Sequence, residues 1–251
     1  LYHRVKYGKW FDQYTVRQKK FEAFAETIPH TEVVTAQTIS KLSNQFDCFV
    51  CGSDQIWNPI GWQPTLFFDF LSDDKKRISY AASIARDNLT EKEYAFMKPY
   101  LDKFSAISVR EKNSADMLNQ KFPKSNVQAV PDPVFLLRKD EWTNLISKRK
   151  ENDEPYIFAY FLGENEENRQ KAIQYAADKK LRIRFASYMD YAQAGWDKSH
   201  PEMLAPPMGV EEFLQNIANA ELVLTDSFHA AAFSSILQTP FYALPRFKAQ
   251  D

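Results

Sequence analysis

The sequence predicts two α/β domains, each built on a parallel β-sheet that helices cover on both faces. Short apolar runs alternate with segments whose apolar residues recur at helical spacing, which is typical of parallel sheets. A polar and charged stretch over 138–154 (RKDEWTNLISKRKENDE) interrupts this alternation, and a second α/β pattern begins after it. We therefore expect a domain boundary near residue 150, which a chain of 251 residues can accommodate.

The first half of the chain contains two helical patterns followed by four strand-like runs. The helices are expected over 11–26, where aromatic residues and Ala recur at mostly helical spacings, and over 38–44. The strands are expected over 46–51, 78–82, 106–109 and 127–130. A further helix is expected directly after the third strand, in the segment EKNSADMLNQ.

The second half repeats this alternation of strands and helices. Strands are expected over 156–162, 182–186, 221–225 and 241–244. Helices are expected over 165–179, 210–219 and 228–237, and an irregular segment over 188–207. We find no internal repeat at a fixed period and no low-complexity tract.

Composition and motifs exclude several classes of function. Lys and Arg number 32 against 33 Asp and Glu, so long-range attraction to nucleic acid or to an anionic membrane is not expected. The six glycines form neither GxGxxG nor GxxxxGK[ST], which excludes a dinucleotide fingerprint and a Walker A loop within this chain. No apolar run approaches the roughly 20 residues that span a bilayer, so no transmembrane segment is expected.

The two cysteines, Cys48 and Cys51, form a CxxC motif within a predicted strand. Side chains three residues apart on a strand point to opposite faces, so we expect two separate buried thiols rather than a redox pair. Two cysteines and four scattered histidines do not make a zinc pattern, and no metal site is expected.

Polar side chains follow most of the predicted strands at the point where the strand ends. Open parallel sheets bind ligands outside the carboxyl ends of their strands, so these residues are candidates for a ligand site. They are Ser53, Asp54, Ser83, Arg110, Asp132, Asp226, Ser227 and His229.

Among these candidates, His229 has the most distinctive sequence context, the segment LTDSFHAAA. Asp226 or Ser227 is a suitable N-cap, and the alanines that follow favour a helix, which places His229 in its first turn. The positive end of the helix dipole favours an anion there, and a bound phosphate could hold the proton on the imidazole. The alternative is a capping motif with an incidental, partly buried histidine.

Arg110 and Asp132 each allow a functional and a structural interpretation. The guanidinium of Arg110 suits a carboxylate or phosphate, but it could equally pair with Glu111 or another neighbouring carboxylate. Asp132 lies between two prolines that favour extended backbone, so it could contact a ligand or simply stabilise a turn.

The string GSDQIWNP over 52–59 is a further candidate for ligand binding, because a glycine that ends a strand is followed by several hydrogen-bonding side chains and an indole before the chain reaches a proline. Its indole could stack on the apolar face of a sugar while neighbouring side chains bind hydroxyl groups. The alternative is a rigid turn with the indole packed in the core. The candidate residues are Ser53, Asp54, Gln55, Trp57 and Asn58.

Taken together, six strings resemble the polysaccharide pyruvyl transferase family. They are FDCFVCGSDQIWNP (46–59), RISYAASIA (77–85), ISVREKNSADML (107–118), VPDPVFLL (130–137), GVEEFLQNIANAELVLTDSFHAAAF (209–233) and TPFYAL (239–244). They occur in the family's order and spacing. The resemblance implies two Rossmann-like domains facing across a cleft, as in GT-B glycosyltransferases, over residues 1–150 and 151–251.

The resemblance also implies an activity and its site. Members of the family transfer the enolpyruvyl unit of phosphoenolpyruvate onto two hydroxyls of one sugar, releasing phosphate, without a metal or organic cofactor. The family's catalytic histidine corresponds to His229 and its donor-binding arginine to Arg110. The implied partner is a free, lipid-linked or polymeric glycan, and the implied location is the cytoplasm or the inner face of the membrane, with peripheral association through the acceptor.

The sequence departs from the family in several places. Ala230 stands where the family usually has Gly, and Ser227 where some members carry Arg. The glycine-rich first strand and the usual C-terminal tail are missing. Two alternatives stay open. One is a GT-B glycosyltransferase that uses a nucleotide-sugar, since a fold alone does not set function, and the other is a catalytically silent glycan-binding member, which Ala230 and Ser227 would suit.

Overall fold

The structure is a computed structural model that describes residues 9–146, 154–163, 165–187 and 195–246. The chain divides into two compact units. The first unit is Thr31–Leu136, and the second combines the chain up to His30 with the chain from Leu137 onward.

This division differs from the predicted one in the placement of the N-terminal helix. Sequence reasoning assigned residues 1–150 to one domain, but the helix that begins at Lys9 packs with the second unit. The amphipathic pattern of a helix shows that it packs, but not on which sheet. The division also falls earlier than the predicted boundary near residue 150, because the chain passes to the second unit at Leu137 and the described residues 137–146 belong to that unit.

The described strands and α-helices follow most of the predicted ranges. The strands are β1 (Cys48–Cys51), β2 (Lys76–Ala82), β3 (Ala106–Val109), β4 (Gln128–Ala129), β5 (Tyr156–Tyr160), β6 (Arg182–Phe185), β7 (Leu222–Thr225) and β8 (Phe241–Ala243). The helices are α1 (Lys9–Ala25), α2 (Glu91–Leu101), α3 (Lys112–Lys121), α4 (Lys139–Thr143), α5 (Glu166–Lys179), α6 (Gly195–Ser199), α7 (Val210–Ala218) and α8 (Phe228–Leu237). Short 3₁₀ helices cover Ile39–Asn44, Pro59–Gly61, Pro64–Phe67, Pro133–Leu136 and Pro201–Met203.

Within the described residues, each unit has one four-stranded sheet in which all neighbouring strands are parallel. The order is β1-β2-β3-β4 in the first unit and β6-β5-β7-β8 in the second. The prediction of two parallel-sheet α/β units is confirmed, and each has Rossmann-like architecture.

In the second unit, alternate residues of the central strands β5 and β7 enter two different cores. Ile157 and Leu224 pack with α5, whereas Phe158 and Val223 pack with residues of α7 and α8. Because successive side chains of a strand point to opposite faces, this sheet is covered on both sides, and its central strands read as unbroken apolar runs.

Gly52 ends β1 with a close approach that excludes a side chain. Its φ is +122°, and a Cβ at this position would lie 2.0 Å from the carbonyl oxygen of Tyr80. The turn that follows β1 therefore requires glycine, which fixes where Ser53 and Asp54 leave the sheet.

The CxxC cysteines lie on opposite faces of β1, as predicted, but only one of them is buried. Cys51 is buried and Cys48 is exposed, so the expectation of two buried thiols is wrong for Cys48, which lies on a solvent-facing side of the strand. Both are free thiols. Burial raises the pKa of the Cys51 thiol to about 12, against a smaller lowering by a backbone hydrogen bond.

We therefore expect one thiol of the folded protein to react quickly with thiol reagents and the other to react slowly. The thiolate is the reacting species, so Cys51 should resist alkylation throughout pH 7–9 while Cys48 reacts readily. Titration with a chromogenic disulfide reagent should give one equivalent in buffer and two in denaturant. Two fast equivalents in the native protein, or oxidation to an intramolecular disulfide, would contradict this arrangement.

Within the part of the chain that the structure describes, no helix combines the length and apolar character that crossing a bilayer requires.

Candidate functional site

The parallel strands of the first unit bring four of its predicted site residues, together with Glu111, to one edge of the sheet. Ser53 and Asp54 follow β1, Arg110 and Glu111 follow β3, and Asp132 follows β4. We call these five residues the Arg110 cluster. Their side chains are connected by the contacts described below, as the rule for carboxyl ends of parallel strands predicts.

Arg110 is surrounded by carboxylates. Its Nη1 lies 3.0 Å from Asp132 Oδ2 and 3.7 Å from Asp54 Oδ1, and its Nε lies 3.4 Å from Glu111 Oε1. The side chain is 10% exposed. The ion pair that sequence reasoning gave as the alternative for Arg110 is thus present, and an incoming anion has to compete with these carboxylates.

Asp132 is the buried member of the cluster, with a side chain that is 1% exposed. It accepts hydrogen bonds from Ser53 Oγ at 3.1 Å, from Arg110, and from the amide of Val134 at 3.1 Å. These partners support the structural interpretation of Asp132: it positions Arg110 and stabilises the turn after β4.

Replacing Asp132 with Asn should therefore have a larger effect on the stability of the folded protein than on its affinity for a ligand. The variant keeps the shape but removes the charge from hydrogen bonds with a buried guanidinium, which should cost about 1–3 kcal/mol. Urea denaturation checks this. A variant as stable as the wild type would show that Asp54 and Glu111 suffice for Arg110.

Ser83 connects the ends of three strands from a fully buried position. Its hydroxyl donates to Glu111, its amide donates to the carbonyl of Asp54 at 2.8 Å, and its carbonyl accepts from the amide of Trp57 at 3.2 Å. Its predicted role as a substrate contact gives way to a structural one, because the hydroxyl is buried and already has a partner.

Trp57 lies in the core of the first unit, which corrects its predicted role as a sugar platform. The side chain is 0% exposed and stacks on Phe67, with ring centroids 5.3 Å apart and an angle of 8° between the planes. Its Nε1 donates to the carbonyl of Leu66 at 3.4 Å. A ring with no exposed face cannot stack on a ligand.

Gln55 and Asn58 belong to the turn that carries Trp57. Asn58 Nδ2 donates to Gln55 Oε1 at 3.0 Å, and Asn58 Oδ1 accepts from the amide of Ile60 at 3.1 Å. The contact with Ile60 caps the short 3₁₀ helix at Pro59–Gly61. Gln55 is exposed, so its predicted role in binding hydroxyls stays a prediction.

In the second unit, Ser227 is the N-cap of α8 and His229 lies in its first turn, as predicted. Ser227 Oγ accepts from the amide of Ala230 at 3.4 Å, and the Ser227 amide donates to Thr225 Oγ1 at 3.0 Å. Ser227 is buried, whereas His229 is half-buried and packs edge-on against the ring of Phe228. The cap fixes the direction in which α8 presents the imidazole.

Asp226 connects β7 to the turn after β5. Its two carboxylate oxygens accept from the amides of Leu162 at 2.6 Å and Gly163 at 2.9 Å. Arg246 Nη2 donates to the carbonyl of Asp226 at 3.3 Å. Because both oxygens of its carboxylate bind backbone amides, Asp226 is a positioning residue next to His229.

A cavity of about 310 Å³ opens beside His229, entirely within the second unit. We call it the His229 cavity. Its walls come from α1, β5, α7, α8 and the segment before α7, and they are mostly aromatic and aliphatic. The lining residues are Arg17, Phe21, Tyr160, Leu162, Ala186, Ser187, Ala205, Pro206, Pro207, Met208, Gly209, Val210, Phe213, Leu214, Ser227, His229 and Phe233.

Helix α1 is held against this cavity by Lys20. Its Nζ donates to Glu212 Oε1 and, at 3.1 Å, to the carbonyl of Pro207, while Glu212 Oε2 accepts from the amide of Gly209 at 2.9 Å. Burial alone would raise the pKa of Glu212, but the hydrogen bonds from Lys20 and Gly209 outweigh it and lower that pKa. The carboxylate therefore stays ionised and paired at neutral pH.

Arg17 is one of the lining residues that sequence reasoning did not single out as site residues. The sequence predicted α1 but gave no sign that it packs beside His229, 212 positions later in the chain. The spacing of Arg17 and Phe21, one helical turn apart, was the available signal. This spacing shows that both side chains lie on one face of the helix, but it does not show which surface that face packs against.

The described residues contain no group of three or more His, Cys, Asp and Glu side chains arranged to hold a metal ion. Arg110 and His229 belong to different units, and the prediction that they meet at one ligand stays a prediction.

Several solved structures of UDP-N-acetylglucosamine 2-epimerases are similar to this chain in fold. A putative enzyme of this kind from Listeria monocytogenes is 13% identical, with a TM-score of 0.55, and the match covers 83% of this chain and 59% of that one. A second is 14% identical, with a TM-score of 0.55, and covers 88% and 63%. The enzyme from Methanocaldococcus jannaschii is 13% identical, with a TM-score of 0.54, and covers 94% and 73%.

At these identities the likeness concerns the fold alone, and it confirms the GT-B-like class. The chain spans 59% and 63% of the length of the first two structures. No curated protein matches the chain significantly.

A sequence model of one family matches residues 2–246, nearly the whole chain. The match includes both strand-end sites, with Arg110 after β3 and His229 in the first turn of α8. The chain belongs to the polysaccharide pyruvyl transferase family.

Proposed function

We propose that this protein transfers the enolpyruvyl unit of phosphoenolpyruvate onto two hydroxyls of one sugar in a polysaccharide or its precursor. The products are a cyclic pyruvate ketal and inorganic phosphate. The observation that carries the proposal is the position of His229, half-buried at the start of α8 and lining a cavity, in a chain that the family model covers almost completely.

The reaction needs an acid first. Protonation of the donor's methylene carbon turns it into a methyl group and makes C2 electrophilic, so that one sugar hydroxyl adds to C2 and loses its proton. Phosphate then leaves with the C–O bonding electrons, and the second hydroxyl adds at C2 and loses its proton. One proton is gained at carbon, two leave the hydroxyls, and one departs on the phosphate.

His229 is the proposed acid for the first step. An imidazole can carry the proton near neutral pH, and it lines a cavity whose apolar walls limit competing contact with water. The first turn of α8 favours an anion, so the phosphate of the donor has a suitable neighbour there. In the second stage the imidazole takes a hydroxyl proton.

Arg110 is the proposed donor contact in the first unit. Asp54, whose side chain is 66% exposed and lies 3.7 Å away, is the carboxylate that a donor anion would replace. Asp132 would stay in place beneath the guanidinium. We propose that the reaction takes place in the cytoplasm, at the inner face of the membrane where the acceptor is lipid-linked.

The test combines ligand stabilisation with product analysis. Phosphoenolpyruvate should raise the melting temperature of the protein, whereas a nucleoside diphosphate should not, because only a ligand of the native state stabilises it. With a panel of glycan acceptors, phosphate release should depend on the glycan and be matched by a ketal methyl signal in the NMR spectrum. Stabilisation by the nucleotide alone would favour a nucleotide-sugar glycosyltransferase, and glycan binding without phosphate release a silent member.

A further inference from the structure

We propose that a second cavity of the second unit binds a saccharide that carries a carboxylate or a phosphate, and that Arg184 binds this anionic group. The cavity has a volume of about 630 Å³, and its walls come mainly from β6, the segment 202–208 and α7. We call it the Arg184 cavity. That the saccharide is part of the acceptor glycan rests on the proposed function, whereas the assignment of a binding site rests on the cavity itself.

Strand β6 directs two arginines to a face of the sheet that is otherwise apolar. Its sequence is Arg-Ile-Arg-Phe over 182–185. Ile183 and Phe185 pack in the core that includes α5, so the two arginines point to the opposite face, which is packed with aromatic and aliphatic residues. Both arginines line the cavity there, Arg182 exposed and Arg184 half-buried.

Arg184 is held in place by an aromatic ring. Its guanidinium carbon lies 3.9 Å from the centre of the Tyr156 ring, whose hydroxyl donates to the carbonyl of Asn216 at 3.1 Å. Within the part of the chain that the structure describes, Arg184 makes no hydrogen bond and no ion pair, whereas Arg182 pairs with Glu154 at 2.6 Å. Stacking leaves the donor edge of a guanidinium available for a planar carboxylate or a phosphate.

Two amide side chains add further hydrogen-bonding groups to the wall. Gln215 and Asn219 are one helical turn apart, so both lie on the same face of α7 and its end, and both are half-buried in the lining. Among the described residues, neither side chain has a hydrogen-bond partner. An amide offers donors and an acceptor, so these two groups beside a guanidinium suit the hydroxyls and the anionic group of a sugar.

The described lining also includes two carboxylates, and neither pairs with Arg184. Glu212 accepts hydrogen bonds from Lys20 and from the amide of Gly209. Glu202 is exposed, and no ion pair joins it to Arg184. The charge of Arg184 is therefore available to a ligand.

The Arg184 cavity shares part of its wall with the His229 cavity. The segment 205–208 lines both of them, and the amide of Ala205 donates to the carbonyl of Phe185 at 2.8 Å, which fixes this segment to the edge of β6. Two prolines restrict its backbone further. A sugar bound by Arg184 therefore lies next to the His229 cavity, which suits a site that holds one unit of a glycan while another unit reacts.

The test measures saccharide binding by calorimetry to the full chain and to four variants. The probes are glucose 1-phosphate, glucuronate and, as the neutral comparison, glucose. The variants are Arg184→Met, Arg184→Lys, Gln215→Met and Lys171→Met. Lys171 is an exposed residue of α5, which packs on the opposite face of the sheet, so its variant controls for the loss of one positive charge. Circular dichroism and melting temperature verify that each variant is folded.

At least one of the two anionic sugars should bind the wild type more tightly than glucose does, and the tighter one identifies the group that Arg184 binds. Arg184→Met should weaken this binding by about tenfold to a hundredfold, as expected for the loss of a charge-assisted hydrogen bond. Arg184→Lys should recover part of the loss, because it keeps the charge but not the fork-shaped donor edge. Gln215→Met should weaken binding by about twofold to tenfold, and Lys171→Met should stay within about twofold of the wild type.

Unchanged affinity of Arg184→Met for both anionic sugars would overturn the inference, as would a wild-type chain that binds neither of them. A variant that lowers only the melting temperature would show that Arg184 protects the edge of the sheet, a common use of charged residues on edge strands. If Arg184→Met is unfolded, the Arg184→Lys and Gln215→Met comparisons decide. Failure of the proposed function looks different: sugar binding that depends on Arg184, in a protein that forms no ketal with any acceptor, would retain the site and reject the reaction.

Discussion

Replacing His229 with Gln lowers the rate of ketal formation by about a hundredfold to ten-thousandfold, the range expected when a general acid is lost. Gln keeps a hydrogen-bonding side chain of similar reach but cannot deliver a proton to carbon. The Michaelis constant for phosphoenolpyruvate should change much less, because the proposed contact for the anionic groups of the donor is Arg110. Steady-state phosphate release with a responsive acceptor gives both constants.

The matched control is His30→Gln, which changes an exposed histidine beyond the end of α1 and should leave the rate unaltered. The melting temperature of His229→Gln should stay close to that of the wild type, since the residue is only half-buried. If His229→Gln forms the ketal at a rate within about tenfold of the wild type, His229 is not the general acid.

Replacing Trp57 with Ala destabilises the protein by about 3–5 kcal/mol, the cost typical of deleting a large buried aromatic side chain. The indole is 0% exposed, stacks on Phe67 and contacts Phe104 edge-on at 5.7 Å, so its removal leaves a cavity in the first core. The free energy of unfolding from urea titration measures this effect.

Trp57→Phe provides the comparison, because it keeps an aromatic ring on Phe67 and should cost less than the Ala variant. Any loss of activity in Trp57→Ala should follow the fraction of unfolded protein. Full stability together with weakened glycan binding would restore the sugar-stacking interpretation and contradict the buried position of the ring.

Sequence reasoning located all eight described strands, most of them from short apolar runs that are followed by polar residues. The central strands β5 and β7 were the clearest, since burial on both faces requires apolar residues throughout. Ser227 and His229 were placed correctly because an N-cap followed by alanines is a local signal that needs no tertiary information.

Helix α2 was missed, although its start carries a signal. Thr90 and Glu93 form a capping box at its N-terminus, and Tyr94, Met97 and Leu101 recur at helical spacing. Pro99 near its end weakens the pattern, because proline is unfavourable inside a helix. Short helix α6 was likewise missed within a segment expected to be irregular.

The remaining differences concern packing, which local patterns do not determine. Trp57 stands in a polar string that suggested a ligand contact, but the indole packs in the core against Phe67 and Phe104, which lie 10 and 47 positions away in the sequence. The position of α1 beside the His229 cavity is also tertiary, and with it the place of Arg17 in the cavity wall. The position of the Trp57 indole and the position of α1 both depend on which surface each segment packs against in the folded protein.

Proton transfer to carbon is the step on which the account depends, and isotope incorporation tests it most directly. When the protein acts on phosphoenolpyruvate and an acceptor glycan in D₂O, the account predicts that the ketal methyl group carries one deuterium, because the proton on His229 exchanges with solvent. The His229→Gln variant should form this product far more slowly. A ketal methyl without deuterium, or a His229→Gln variant that labels it at the wild-type rate, would contradict the account.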